Sequence, residues 1–469
     1  MKILVTGGTG FVGSKVCESL VLNGHDVHVI TRNPERASNN LMLPVKFIQG
    51  DLSKNTVKID SNFDGVINLM GENIGEKKWT PKQKKIILNS RKVSTQNLFE
   101  SLKGNHGEFF IQASAIGYYK DSEGDELLDE NSAKGDHFLS DVCEQWEKES
   151  KVFKDLFKNH ITLRIGVVLG FDGALMHKLL PLYRYGLGGK LGDGKQWMSW
   201  IHVLDLVNII NYVIDNKLSG LFNAVAPESV QNNEFNKQLA NFTNRLAIFK
   251  VPKFVLKLLM GDQSYLALSS QRIKSSIMEK GFEFEYPTLS SALKDICNFS
   301  KLPPANVLSF HHRLRQVQYI DQPIEKVFDF FAEAKNLERI TPEYLNFRIT
   351  YQSTKKITQK TIFKYKLKVH GMPVSWKTEI INWKHNELFT DYQMKGPYKV
   401  WYHTHYFYQL GNGTLMVDDV KYLLPMRFIG ELFGLWLVKK DVPDIFKFRA
   451  QEMKKYLLLI IPIFLFFAC

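Results

Sequence analysis

A chain of 469 residues has room for about two to four domains, and its composition, 44% hydrophobic and 23% charged, is that of a globular chain rather than a disordered, collagenous or multi-span membrane protein. Its net charge of +13 attracts phosphates or an anionic surface at long range without naming a partner. Cys17, Cys143, Cys297 and Cys469 are far apart with no CxxC spacing, which argues against a zinc knuckle or disulfide framework and suits a reducing compartment.

Met1-Lys2-Ile3-Leu4-Val5 runs straight into glycines, leaving no room for the ~7 to 15 apolar residues of a secretory leader, so a cytoplasmic location is expected. Ile3 to Thr6 reads as a strand, and Val12, Val16 and Leu20 then recur at helical spacing up to Gly24. Strands are predicted at Asp26 to Thr31, Val45 to Gln49, Val66 to Met70, Phe109 to Ala113, Leu163 to Leu169 and Leu221 to Val225, with polar helical stretches between them. This alternation predicts an α/β doubly wound parallel sheet over residues 1–299. Thr80-Pro81 marks the start of one crossover helix running to about Leu102.

Residues 300–308, with Pro303-Pro304, read as a linker. An α+β domain is expected over 309–456. It has a strand at Leu314 to Ile320, a helix from Pro323 with Val327, Phe330 and Phe331 on one face, then successive strands to about Leu424. Tyr365, Leu367 and Val369 alternate with lysines, Asn412-Gly413 is expected to turn a hairpin, and a helix from Phe428 to about Tyr456 closes the domain. The apolar tail, 457–469, is too short to span a bilayer, which needs about 20 apolar residues, and leaves room for weak peripheral membrane contact.

In Gly7-Gly8-Thr9-Gly10-Phe11-Val12-Gly13, Gly7 suits a tight turn, Gly10 a close approach of backbone amides to a pyrophosphate, and Gly13 close packing of helix on strand. The segment Thr31-Arg32-Asn33 ends the second strand where NAD binders carry a carboxylate, and the guanidinium of Arg32 suits a 2′-phosphate, so NADP is expected over NAD. Asp51, after the third strand, falls near the adenine end.

These residues resemble the extended, atypical branch of the short-chain dehydrogenase/reductase superfamily, the "epimerase family" proteins. The stretches that carry the resemblance are Thr6 to Gly13, Asn68 to Ile74, Ser114 to Tyr119, Gly194 to His202, and Ser270-Gln271-Arg272 with Gly281 to Pro287, the last two like the C-terminal DUF1731 segment. The resemblance implies a cofactor site that includes Gly7, Gly10, Phe11, Val12, Gly13, Arg32, Asp51, Leu69 and Gly71, and a catalytic serine at Ser114. The superfamily's Tyr-Lys proton relay is missing: its two positions hold Phe138 and Val142 or, in the other register, Leu139 and Cys143, none of which relays a proton near neutral pH. Tyr118, Tyr119, Glu72 and His202 are replacement candidates, each also readable as a packing, capping or bracing residue. Arg91 and Arg164 read equally as anion anchors or structural ion pairs, and Trp197 and Trp200 as a pocket wall or core.

Residues 309 to 456 resemble the START-like (SRPBCC) helix-grip superfamily in element order, in Pro323 to Phe330, and in aromatic density from Trp376 to Trp401, Phe433 and Trp436. That resemblance implies a hydrophobic ligand in a cavity under the last helix. His403 and His405 share a strand face, but the sequence offers no acidic partner at metal spacing, so packing or surface is expected and no metal site. The lysines at 355 to 368 read as a solvated face, and no nucleic-acid signature is present. The function expected is that of an NADP-dependent oxidoreductase or epimerase acting on a hydrophobic small molecule. The alternative is a non-catalytic NADP-binding sensor or scaffold.

Overall fold

The computed structural model describes residues 1–297, 312–425 and 427–458. The 300–308 linker, residues 459–469 of the tail and the side chains of Phe433 and Trp436 lie outside the described residues. Contacts divide the chain into two compact units, Met1–Phe299 and Ser300–Cys469.

The first unit is built on β1 (Lys2–Thr6), β2 (Asp26–Thr31), β3 (Lys46–Gln49), β4 (Gly65–Asn68), β5 (Gly107–Ala115), β6 (Phe157–Ile165) and β7 (Gly220–Ala224). They form a seven-stranded sheet in the order β7-β6-β5-β4-β1-β2-β3, and every pair is parallel. The strands are near-continuous apolar runs, with Ile3, Leu4, Val5, Val66, Ile67 and Ile111 fully buried, because crossover helices cover both faces. The helices that matter for the site are α1 (Phe11–Leu22), α2 (Pro34–Leu41), α3 (Pro81–Ser101), α4 (Phe138–Ser150) and α5 (Val203–Asp215). The α3 start is as the sequence indicates: Thr80 Oγ1 accepts from Gln83 N and proline holds the first helical position.

The expected strand Leu163 to Leu169 breaks at Gly166. Beyond it, Val167–Leu169 leaves the main sheet to pair with Trp200–His202. Only glycine fits at the break, since a Cβ on Gly166 would lie 2.9 Å from Val225 and 3.0 Å from the Ser199 carbonyl. The C-terminal segment is tied down by Asp205 on α5, which accepts from the backbone N–H groups of Glu285 and Tyr286.

The second unit has β8 (His312–Ile320), β9 (Arg348–Gln352), β10 (Ile362–Val369), β11 (Met372–Lys384), β12 (Leu388–Lys395), β13 (Val400–Leu410) and β14 (Gly413–Leu423). They form an antiparallel sheet in the order β8-β14-β13-β12-β11-β10-β9. Two short helices, α6 (Ile324–Ala332) and α7 (Ala334–Arg339), follow β8, and the long α8 (Arg427–Leu458) follows β14. Gln316 and Gln318 of β8 donate to the carbonyls of Phe446 and Ala450 and so fasten α8 to the sheet. On β10, Phe363, Tyr365 and Leu367 are buried and Lys364, Lys366 and Lys368 exposed, as alternation requires.

One local expectation is met and one changes. On α6, Val327 and Phe328 are fully buried, and Phe330 and Phe331, half-buried, pack against the same core. The β13–β14 hairpin turns one residue earlier than expected: Leu410 pairs with Gly413, and Gly411, at φ +56, takes the left-handed position of the two-residue loop. No helix among the described residues is long and apolar enough to cross a membrane.

Candidate functional site

The glycine turn between β1 and α1 is dictated by contact distances. Gly7 has φ +70, and a Cβ there would lie 2.9 Å from the Leu69 carbonyl; on Gly13 it would lie 2.2 Å from the Gly7 carbonyl. Gly10 N donates back to Gly7 O at 3.0 Å, and Gly10 caps α1 without any side chain on its first amides. The result is a helix N-terminus with bare N–H groups at the C-terminal edge of a parallel sheet, the arrangement that receives phosphate groups.

A cleft of about 990 Å³ opens there. Gly7, Gly10, Arg32, Asp51, Leu69, Gly71 and Glu72 line it, so the structure brings together most of the expected cofactor residues and one catalytic candidate. Phe11 and Val12 do not line it: the Phe11 ring packs where Cβ atoms on Gly170 and Gly173 would lie, 2.7 and 3.1 Å away. Gly13 serves packing. The Asp51 carboxylate accepts from the N–H and hydroxyl of Ser53. Burial alone would raise it, but those bonds and the charges of Lys54 and Arg32 hold it below its ordinary value.

The sequence reading missed Arg36, which lines the same end of the cleft as Arg32. Asn33 caps α2 by accepting from Arg36 N, and this short turn sets the two arginines around the helix start. Their four-residue spacing was the available signal. Lys54, Lys82 and Lys85 add further positive charge to the lining.

The catalytic candidates separate. Glu72 is half-buried in the cleft, its Oε1 accepting from Lys77 and Gln83 at 3.3 Å each. Ser114, 3% exposed, donates its hydroxyl to Glu147 Oε1 at 2.6 Å. Glu147 in turn holds Arg164 in a bidentate pair at 2.8 and 2.9 Å, and that guanidinium lies 3.5 Å over the Tyr118 ring. Arg164 is therefore a buried structural ion pair and Tyr118 its packing platform. Tyr119 is fully buried, donates to Asn223 Oδ1 and accepts from Arg164; burial pushes its phenol up to about 12 despite the cation beside it. Such a phenol stays protonated at neutral pH.

His202 fits the capping one of its two readings. It is 1% exposed, outside the cleft lining, caps α5 by accepting from Leu204 N, lies 3.4 Å from Asp295 and packs on the Tyr286 ring. Its strand-to-helix position makes it a capping residue. Arg91 is also structural, donating to the Ile87 and Glu72 carbonyls beneath Gly71, with burial lowering its pKa. Trp200 is core; Trp197 carries Arg272 over its ring. On α4, Cys143 sits beside Ser114 and Leu139 against Gly117, so the relay positions next to the serine are apolar. Burial pushes the Cys143 thiol up to about 11.

In the second unit a cavity of about 170 Å³ is lined by Phe331, Ile340, Trp376, Trp401 and Phe446 among others. His403 and His405 face it and are each 4% exposed, which corrects the expectation of a packed or surface pair without acidic partners. Asp391 lies directly across from His403 on β12, and Asp418 directly across from His405 on β14. Burial alone would raise both carboxyls, but the imidazoles hold them well below the ordinary range; the same contacts raise His403 against its burial.

Fold and cleft together define the first unit as a Rossmann-type nucleotide-binding protein of the extended short-chain dehydrogenase kind. The NAD dependent epimerase/dehydratase family matches residues 3–138, and a domain of unknown function, DUF1731, matches residues 251–296. The chloroplastic epimerase family protein SDR39U1 homolog of Arabidopsis thaliana is 35% identical over 306 residues, 63% of this chain and 86% of that protein. An epimerase family protein of Staphylococcus aureus is 33% identical over 299 residues, 63% of this chain and 98% of the relative. Human epimerase family protein SDR39U1, solved with NADPH, aligns with a TM-score of 0.58 at 30% identity over 64% of this chain and 99% of its own. Through its first unit, this chain belongs to the NAD dependent epimerase/dehydratase family.

Proposed function

We propose that the first unit binds NADP(H) in the cleft and carries out oxidoreductase or epimerase-type chemistry on a hydrophobic small molecule. The observation that carries this reading is the pair Arg32 and Arg36 at the start of α2, where NAD-selective sites place a carboxylate. Human SDR39U1, solved with NADPH, supports the same choice over NAD. The Gly7-Gly10 turn and the bare α1 N-terminus would receive the pyrophosphate, since a side chain at either glycine would fill that space or strain the turn. Asp51 would accept from the adenine end, and Leu69 to Gly71 would wall the nicotinamide side.

A bound nicotinamide would supply or accept a hydride. Among the candidate groups, Glu72 alone lines the cleft, so it is assigned the proton transfer; Lys77 and Gln83 fix its carboxylate. Ser114 is given a positioning role through Glu147. The second reading, NADP binding without turnover, is favoured by one observation: the Ser114 hydroxyl is already spent on Glu147 and its α4 neighbours are apolar.

The second unit is proposed as a helix-grip domain holding a small hydrophobic ligand. Its cavity is close to the ~150 Å³ that accepts a benzene ring in an engineered core. A cytoplasmic location with weak peripheral contact through 457–469 completes the proposal. Fluorescence titration with NADPH and NADH, followed by absorbance at 340 nm with metabolite extracts, tests it on wild type and Glu72→Gln. NADPH-selective binding with Glu72-dependent oxidation supports the enzyme. Binding without oxidation selects the sensor, and preference for NADH overturns the role of the arginines.

A further inference from the structure

The cluster under the second unit's cavity is arranged around two imidazoles. His403 and His405 stand two residues apart on β13, so both project to the same face, with ring centroids 3.8 Å apart. On one side, Asp418 Oδ1 lies 2.9 Å from His403 Nε2 and 2.8 Å from His405 Nδ1. The hydrogen bond to Asp418 draws the N–H of His403 to Nε2. That bond leaves the lone pair on His403 Nδ1, while His405 Nδ1, close to the same oxygen, is not aligned for a hydrogen bond to it.

His403 Nδ1 and His405 Nε2 converge on the other carboxylate: Asp391 Oδ2 is 3.2 Å from the first and 3.8 Å from the second. Ligands held about 2.1 Å from one ion are separated by about 3.0 to 3.4 Å, so small rotations suffice to close a shell. The two carboxylates differ in place as well. Asp391, His403 and His405 line the cavity, whereas Asp418 lies behind the rings and is 3% exposed. Phe389 stacks on His405 and Phe446 meets His403 edge-on, an apolar surround that keeps bulk water from the donors.

An independent feature points into the same space. Arg449 of α8 lines the cavity at 9% exposure, and its Nε has no hydrogen-bond partner among the described residues. A buried guanidinium donor with nothing to bind is costly unless a ligand supplies the acceptor.

We propose that Asp391, His403 and His405 bind one divalent first-row transition-metal ion, with Asp418 as the carboxylate that orients the His403 imidazole and lies against His405, and that the open coordination positions face the cavity. Two histidines and one carboxylate leave such an ion with vacant sites, and N/O donors of this kind suit zinc, iron(II), cobalt(II) or manganese(II). The ligand that fits between the ion and Arg449 is an oxygen anion, such as a carboxylate, on a small hydrophobic body. The competing arrangement is a proton in place of the ion, bridging imidazole and carboxylate.

The test uses the full chain. Protein stripped with chelator is titrated with cobalt(II) and zinc(II) by calorimetry, with cobalt(II) absorbance and X-ray absorption reporting the ligands. One ion per chain with two imidazole ligands is expected. Affinity should fall more than 100-fold in His405→Gln and about 10- to 100-fold in Asp418→Asn, each checked for folding by circular dichroism. Failure of folded wild type to take up either ion overturns the proposal and leaves the proton-bridged cluster. An oxygen-only cobalt environment in the wild type overturns it even where the variants fail to fold.

Discussion

The two units build their polar sites from opposite materials. In the first, the site is mostly backbone: a glycine turn, an uncapped helix start and loop side chains along an open cleft of about 990 Å³. In the second, it is all side chain: residues of two adjacent strands and one helix line a cavity of about 170 Å³, with Asp418 of a third strand behind them. A backbone site is local in sequence and tolerates exposure, because its donors are fixed by the fold's first crossover. A cross-strand site exists only when the register is right, and its buried charges must balance one another.

The sharpest way to break this contrast is Gly13→Val. The introduced Cβ would meet the Gly7 carbonyl at 2.2 Å, so the first unit should lose at least about 3 kcal/mol of stability, together with NADPH binding. Calorimetric melting that matches wild type would show the turn to be permissive. Glu147→Gln comes next. It leaves Arg164, whose side chain is 5% exposed, without its partner, and a drop of about 3 kcal/mol in urea unfolding is expected. Retained stability with altered turnover would instead make Glu147 part of the chemistry.

Arg32→Ala and Arg36→Ala should each weaken NADPH binding about tenfold, roughly 1.4 kcal/mol, and leave NADH nearly unchanged. Equal losses for both cofactors would move the arginines to a general electrostatic role. His202→Ala should cost about 1 kcal/mol of stability as a lost helix cap while NADPH affinity stays at the wild-type value. The smallest effect belongs to the acid limb of the second unit. Asp419 is buried, which would raise its carboxyl, but its bidentate pair with Arg313 at 2.7 and 3.1 Å holds it below the ordinary 3.8. Its contribution is present above that value and is lost as pH falls through the lower folded one. Asp419→Asn should flatten that part of the stability curve, read by fluorescence between pH 5 and pH 2; an unchanged slope would assign the acid limb to other carboxylates.

Legibility followed the same divide. Strand β1, the turn, α1 and the Thr80-capped α3 could be read directly, because each is set by residues within a few positions of one another. Arg36 was legible in principle from its spacing to Arg32. His202 kept two readings because a strand-end histidine before a helix looks alike whether it caps or catalyses; its burial against Tyr286 favours the cap. In the second unit, Asp391 was hidden by the pairing of two neighbouring strands and Asp418 by one residue of hairpin register. A turn at Asn412-Gly413 sets His405 opposite Val420, whereas the observed loop at Gly411-Asn412 sets it opposite Asp418.

The sequence by itself determined the parallel α/β unit, its glycine turn, the cationic end of its cleft and the loss of the Tyr-Lys relay, since these follow from local spacing, helix caps and residue type. Tertiary structure alone decided that Ser114 is bound to Glu147, that Arg164 is an internal ion pair, and that two histidines share two aspartates. Those pairings join residues 12 to 33 positions apart across strands and helices. Such contacts are fixed by packing and register rather than by any short stretch of chain.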